Sequence, residues 1–535
     1  MTRLLGVNLR SLYPGNARTP RLRRVDADYI VVGTGSAGSV VANRLSADPA
    51  ASVVVLEAGP KDKDKFIHIP AGFANLMRTP MDWDYLTEPQ KELDGREIYW
   101  PRGRMLGGSS SMNAMMWVRG FAADYDEWGA AAGEHWDYAH LEPYLRRIES
   151  GPLSIARQRS PRSSTAAWLQ AVQECGYRVE EPNQAEPQGF CETHVTQRRG
   201  ARWSTADAYL RPAVKRPNLT LLTEATATKV LFDGHRAAGV EFDKDGRQQI
   251  VRAKREVVLC GGAINSPQLL MLSGIGDRDH LTEHGIDVVA ESPGVGGNLL
   301  DHLVVPLGFD VPNDTLFAAE KPLELLNYFI RRRGMLTSNV GEAYGFVKSR
   351  ADLELPDLEL IFAPAPYFEE GLGDPYPGHA VVMGPILLKP ASSGTITLRS
   401  SNPKDKPIID PRYLSDPAGA DREALMAGLR MCATIARSPA LNGIIGKIAR
   451  PLNSTDLDDE TLDRALNSLS HTLYHPVGTC RMGADDASVV DPQLRVRGVE
   501  GLRVADASVM PTIIRGHTHA PSVLIGEKAA DLIRS

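Results

Sequence analysis

Two histidines near the carboxyl end have the type and setting to move a proton. His475 sits in the run Tyr474-His475-Pro476-Val477-Gly478-Thr479-Cys480, and His517 follows the block Val504-Ala505-Asp506-Ala507-Ser508. An unperturbed imidazole titrates at about pH 6.5, so each takes or returns a proton near neutrality, and the two together suit acid/base work. Proton transfer is half of a redox step. The other half, an electron acceptor, has its signature at the opposite end of the chain.

The elements that would position an acceptor lie between residues 28 and 57. Asp28-Tyr29-Ile30-Val31-Val32 reads as a buried strand, Gly33, Gly35 and Gly38 as a turn opening a helix through Val41, Ala42 and Leu45, and Val53-Val54-Val55-Leu56 as a second strand closed by Glu57. Glycines there allow a tight turn and close backbone approach to a pyrophosphate at the helix N-terminus. An acid about 20 residues on accepts hydrogen bonds from a ribose. A second small-residue segment, Gly103-Arg104-Met105-Leu106-Gly107-Gly108-Ser109-Ser110-Ser111-Met112-Asn113, adds another surface of closely approachable backbone. Two such cradles suit a long, tightly held FAD better than a nicotinamide.

Composition sets the class. With 535 residues, 42% apolar and 24% charged, the chain can bury a large core in two or three domains, and its net charge of -6 gives no reason to expect a nucleic-acid partner. Five cysteines with no Cys-x-x-Cys spacing read as buried thiols of a cytoplasmic protein, with no disulfide framework and no metal site. No apolar run is long enough to span a membrane. The arginine-rich residues 1–25 lack the apolar stretch of a signal peptide and read as a basic tail. His280, His284 and His302 read as surface or satisfied core histidines.

Apolar runs at Val257, Val258, Leu259 and Cys260 and at Leu502, Arg503 and Val504 predict buried strands ending at a cofactor crevice. Between them, prolines at 364, 366, 375 and 377 punctuate stretches such as the alternating Gly394-Thr395-Ile396-Thr397-Leu398-Arg399. The fold class is therefore α/β: a Rossmann-like FAD-binding domain, mainly residues 26–300, with a discontinuous substrate domain, 301–470, on an antiparallel sheet. Residues 471–535 return to the FAD-binding domain with the two histidines.

On these motifs the chain resembles the glucose-methanol-choline family of flavin oxidoreductases. Residues 103–126 are similar to the family's first signature and Gly262-Ala263-Ile264-Asn265-Ser266-Pro267 onward to its second, and the likeness runs from about 28 to 533, nearest the bacterial choline-dehydrogenase-like branch. The resemblance implies that Gly33, Gly35, Ser36, Gly38, Glu57 and Ala58 hold the ADP half of FAD. It places Gly108, Ser109, Asn113 and Met116 along the pyrophosphate and flavin, and the Val230 backbone at the adenine. Asp506 and Ala507 fall at the ribityl and pyrophosphate region, and Thr518 near the pyrimidine ring.

It further implies that His475 is the base that takes the alcohol proton while hydride passes to flavin N5, and that His517 binds the same oxygen. The expected reaction is oxidation of primary alcohols to aldehydes, with electrons passing to O2, giving H2O2, or to another carrier. Choline oxidation, and cyanohydrin cleavage by a hydroxynitrile lyase of the same fold, stand as alternatives. Met112 occupies the position where covalent members carry a histidine, so the FAD is expected to be non-covalent. A lid like that of relatives is in doubt, because Glu149-Ser150-Gly151-Pro152-Leu153 follows the helix around Arg146 at once. A quaternary ammonium asks for a carboxylate or an aromatic cage. Glu342 is the one acid nominated for it, and Trp117, Phe362, Tyr367 and Phe368 are the aromatics considered for an apolar pocket. His519, where an asparagine is common, faces flavin or core.

Overall fold

A computed structural model describes residues 25–368 and 376–535, so the basic tail and part of the proline segment near 375 lie outside the described residues. The first strand, Val25–Val32, pairs in parallel with Val53–Leu56 on one side and with Arg247–Leu259 on the other. Leu219–Leu222 extends the sheet beyond Val53–Leu56, also in parallel. Ile30, Val31, Val55, Val257, Val258 and Leu259 are fully buried. That explains their unbroken apolar runs: a parallel sheet is covered on both faces, so strand positions do not alternate.

The strand Arg247–Leu259 has two partners along its other edge. Its first half pairs antiparallel with Arg236–Lys244, itself hairpinned to Ala225–Asp233, and its last three residues pair in parallel with Leu502–Val504. The carboxyl-terminal segment thereby ends its strand beside the amino-terminal glycine turn. This pairing brings the two ends of the chain to one crevice.

The second sheet is antiparallel throughout. In spatial order it contains Ile448–Arg450, Leu307–Asp310, Ala380–Leu387, Leu358–Ala363, Ala343–Val347 and Phe190–Glu192, with Leu303–Val304 joining Ala380–Leu387 to His471–Thr472. Helix Ala420–Ala436 packs on it through Leu425, Leu429 and Cys432. Two expectations are corrected here. The alternating stretch at 394–399 does not join this sheet: Thr395–Thr397 pairs only with Ile408–Asp410 in a separate ribbon, its neighbouring Gly394 bridging to Leu299. The return to the first sheet comes at Leu502 rather than at 471, because His471–Thr472 still belongs to the second sheet.

Candidate active site

Three glycines at the first turn differ in what demands them. A Cβ on Gly33, whose φ is +98°, would meet the Cys260 carbonyl oxygen at 2.4 Å, and one on Gly38 would meet the Gly33 carbonyl oxygen at 2.1 Å. A Cβ on Gly35 would meet no protein atom within 4 Å, yet Gly35 lines the cavity. Gly33 and Gly38 are small because protein packs on them. Gly35 leaves room for something that is not protein, which is the fit expected of a pyrophosphate-bearing cofactor at this helix N-terminus.

The cavity is long. One end is lined by Glu57, Ala58 and the strand residues Ala225, Thr226 and Ala227. Its middle is lined by Gly33, Gly35, Ser36, Gly108, Ser109, Asp506, Ala507 and Thr518, and its far end by Asn113, Met116, His475 and His517. The Glu57 carboxylate accepts the Thr34 N–H at 3.0 Å and the Gly59 N–H at 2.8 Å, while burial raises its pKa above the usual carboxylate value against those bonds. The Thr34 hydroxyl also donates to the oxygen that takes the Thr34 N–H, so Oε1, held by the Gly59 N–H alone, keeps the lone pair for a ribose hydroxyl. Asp506 ties its own turn to the start of the helix Gly262–Leu272, accepting from the Gly262 N–H at 2.9 Å, the Ser266 hydroxyl at 2.6 Å and the Ser508 N–H at 2.8 Å.

Two expected cofactor residues lie outside the lining. Gly38 serves the helix packing just described. Val230 is fully buried and donates its N–H to the Ser273 hydroxyl at 2.8 Å, so its backbone is already engaged. The strand meets the cavity earlier, at Ala225, Thr226 and Ala227. His519 does face the cavity: its Nδ1 is 2.9 Å from the Ser36 hydroxyl, its ring stands edge-on to Trp117, and burial pushes its pKa down to about 4. Asn113 is held by Arg202, which donates to its Oδ1 at 2.7 Å and to the Ile67 carbonyl at 2.7 Å. Burial lowers the Arg202 guanidinium to about 9.

At the far end the rings of His475 and His517 are 4.8 Å apart, centroid to centroid. The two histidines are backed by residues that were not anticipated. His302 Nε2 is 3.1 Å from the Leu388 carbonyl and its Nδ1 is 2.9 Å from His475 Nδ1. A carbonyl only accepts, so His302 carries its proton on Nε2. Burial, aided by the nearby His517, pushes the His302 pKa down to about 3, so the ring is neutral and its Nδ1 has a lone pair. His475 must therefore donate from Nδ1, which leaves Nε2 unprotonated as the atom free to take a proton. Burial, with His517, His302 and Arg102 adding to it, holds His475 well below the ordinary histidine value. His517 Nε2 is 3.1 Å from Glu359 Oε1, a carboxylate buried in the strand Leu358–Ala363.

The loop carrying His475 is clamped. Asp301 accepts the His475 N–H at 2.8 Å and the Thr472 hydroxyl at 2.6 Å, and it also accepts from the Tyr413 hydroxyl; burial raises its pKa to about 6. Tyr474, immediately before His475, has φ +68°, its N–H donated to Thr472 Oγ1 and its carbonyl accepting from Arg102 at 2.7 Å. Met115 and Val340 also take positive φ, at +56° and +74°, and all three residues line the cavity. Non-glycine residues held in this region cost about 1–3 kcal/mol each and persist where the surroundings over-determine them, as at active sites.

The part of the cavity beside the histidines is apolar. Val304, Val340, Ile361, Ala363, Val382 and Leu473 line it, joined by Phe73 and Met77 from the segment Pro70–Leu76 and its cap. Of the four aromatics considered for this pocket, only Tyr367 lines it; Phe362 stacks on Trp168, and Trp117 donates its indole N–H to Glu149 at 2.8 Å. Phe368 belongs to the core beneath Arg450. Glu342 is not at the site. It is fully buried, accepting from the Ser338 and Thr165 hydroxyls at 2.6 Å each and from the Arg162 N–H at 2.7 Å.

Family models described as GMC oxidoreductase match residues 27–304 and 390–526. The chain belongs to the GMC oxidoreductase family. It is 68% identical to an uncharacterized GMC-type oxidoreductase of Mycobacterium tuberculosis, covering 95% of this chain and 99% of that one. It is 41% identical to the alcohol dehydrogenase [acceptor] of Pseudomonas putida, covering 95% of each. It is also 41% identical to the mitochondrial choline dehydrogenase of Homo sapiens, covering 96% of this chain and 90% of that one. Among solved structures, pyridoxine 4-oxidase from Mesorbium loti superposes with a TM-score of 0.85 at 31% identity over 94% and 98% of the two chains. Formate oxidase of Aspergillus oryzae, whose FAD is modified, superposes with 0.88 at 28% identity over 96% and 98%. The cofactor of this GMC oxidoreductase is FAD. No helix among the described residues is long and apolar enough to cross a membrane.

Proposed function

We propose that the protein oxidises uncharged primary alcohols to aldehydes, with His475 as the base. The observation that carries this reading is the His302–His475 pair. It leaves an unprotonated Nε2 on a neutral imidazole at the cavity end where the alcohol must sit. Bound FAD would accept the hydride released from the carbinol carbon. His475 Nε2 takes the hydroxyl proton as the carbon gives up that hydride, so the alcohol leaves as aldehyde. A base within hydrogen-bond reach contributes about 10² to 10⁴ in rate. His517, steadied by Glu359, supports the same oxygen.

The choice of an uncharged alcohol over choline rests on charge. Among the described lining residues the only carboxylates are Glu57, at the end opposite the histidines, and Asp506, in the middle beside the glycine turn. A quaternary ammonium would meet Val304, Val340 and Ile361 and the rings of Phe73, Tyr367 and Tyr474, with no carboxylate beside them to neutralise it. The test is anaerobic mixing of the flavin-loaded enzyme with a panel of primary alcohols and with choline, following flavin bleaching. Aliphatic or aryl alcohols should bleach it and choline should not. His475→Ala should keep its flavin, releasable by acid precipitation because Met112 forms no covalent link, and lose about 10² or more in bleaching rate. Bleaching of that variant at the wild-type rate would remove His475 from the role.

A further inference from the structure

The helix Pro322–Arg331 is built inside out. Of the eleven large apolar side chains exposed among the described residues, six lie in one stretch: Phe317, Leu323, Leu325, Leu326, Phe329 and Ile330. Leu323, Phe329 and Ile330 are 74%, 59% and 71% exposed. Glu324 and Asn327 of the same helix point the other way. Glu324 accepts the Met335 N–H at 2.9 Å, and both Glu324 and Asn327 crowd the position a Cβ would take on Gly334. Tyr328 is buried, donating its hydroxyl to the His68 carbonyl at 3.2 Å. A surface helix normally turns its apolar stripe inward. Here the stripe faces out, and contiguous exposed apolar surface of this kind marks an interaction site.

The ends of the helix identify the partner. Lys321 precedes it beside Glu320, Arg331 ends it and Arg332 and Arg333 follow, all exposed. An apolar face flanked by cations is the pattern of a helix lying in the plane of an anionic bilayer, its leucines and phenylalanine in the acyl boundary and its basic residues at the phosphates. A protein groove would not require the cluster of three exposed arginines at the carboxyl end of the helix. We propose that this helix docks the enzyme on an anionic phospholipid surface as a peripheral contact. Tyr328 packs with Ile69 and Ala71, next to the segment Pro70–Leu76 whose Phe73 lines the cavity, so the docked face adjoins the wall of the active site.

The flavin-loaded full chain would be sedimented with phosphatidylcholine vesicles containing phosphatidylglycerol, in low and in high salt. The wild type should pellet with the vesicles and be released by salt. Phe329→Asp with Ile330→Asp should weaken pelleting by at least about tenfold while keeping flavin content and solution activity, because neither side chain touches the cavity. Three outcomes would overturn the proposal: a wild type that stays in the supernatant, a double variant that pellets like the wild type, or a concentration-dependent dimer abolished by the double variant without any vesicle binding.

Discussion

Removing the His302 acceptor tests the proton assignment at its weakest joint. Both His302→Leu and His302→Asn lose the bond to the Leu388 carbonyl, leaving a buried acceptor without its donor at a cost of about 1–3 kcal/mol of stability. They differ at His475. Asparagine places a side-chain oxygen near the position of the imidazole Nδ1 and still accepts the His475 Nδ1–H; leucine accepts nothing. In the leucine variant His475 loses a buried neutral bond worth about 1 kcal/mol and becomes free to carry its proton on Nε2, where it cannot act as base. One kcal/mol is a factor of about five, and loss of ring orientation multiplies it, so flavin reduction should slow by about 10- to 100-fold. The asparagine variant should recover most of that rate at the same reduced Tm. Because the His302 pKa is pushed to about 3, the difference between the two should be constant from pH 5 to 8. Stopped-flow reduction of matched, flavin-loaded variants decides it. Equal rates for leucine and asparagine, or a leucine variant as fast as wild type, would refute the argument that His302 fixes the His475 tautomer.

Two further outcomes follow from the same site. Gly35→Ala should fold normally, since its Cβ meets no protein atom, yet purify with at least about tenfold less FAD because the methyl occupies cofactor space; full loading would move the pyrophosphate elsewhere. The pH dependence has a definite sign. A base works deprotonated, and burial lowers the His475 pKa, so reduction by alcohol should stay level as pH falls through the ordinary histidine value of about 6.5 and drop only below it. Half the rate lost at or above pH 6.5 would exclude a buried His475 as the base.

The cofactor half of this site was legible in the sequence because its demands are local. Gly33 is required by its own positive φ, Gly38 by the Gly33 carbonyl within the same turn, and Glu57 by strand spacing, so pattern alone finds them. The cradle at 103–113 is likewise contiguous. The supporting residues were not legible, because each reaches its partner through tertiary pairing. His302 meets His475 only where Leu303–Val304 pairs with His471–Thr472. A signal existed for Glu359, a charge in the otherwise apolar strand Leu358–Ala363, since a buried carboxylate needs a partner. Val230 went astray by register: the strand touches the cavity at Ala225, Thr226 and Ala227, and the chain has left it by 230. Glu342 failed as a substrate ligand because the nearby Ser338 hydroxyl and, from far off in sequence, the Thr165 hydroxyl and Arg162 N–H already satisfy it.

The threading of the chain through its two sheets bears on how substrate gets in. Strands at 25–56 lie in the first sheet, 190–192 in the second, 219–259 in the first, 303–472 in the second and 502–504 in the first again. A clamshell enzyme opens about one or two connecting segments; four covalent crossings tie these two sheets together instead. Substrate entry therefore asks for local motion of lining residues such as Phe73 and Met77 rather than a parting of the sheets. The same stitching means that a single proteolytic cut frees neither half, and thermal unfolding should lose both sheets in one transition.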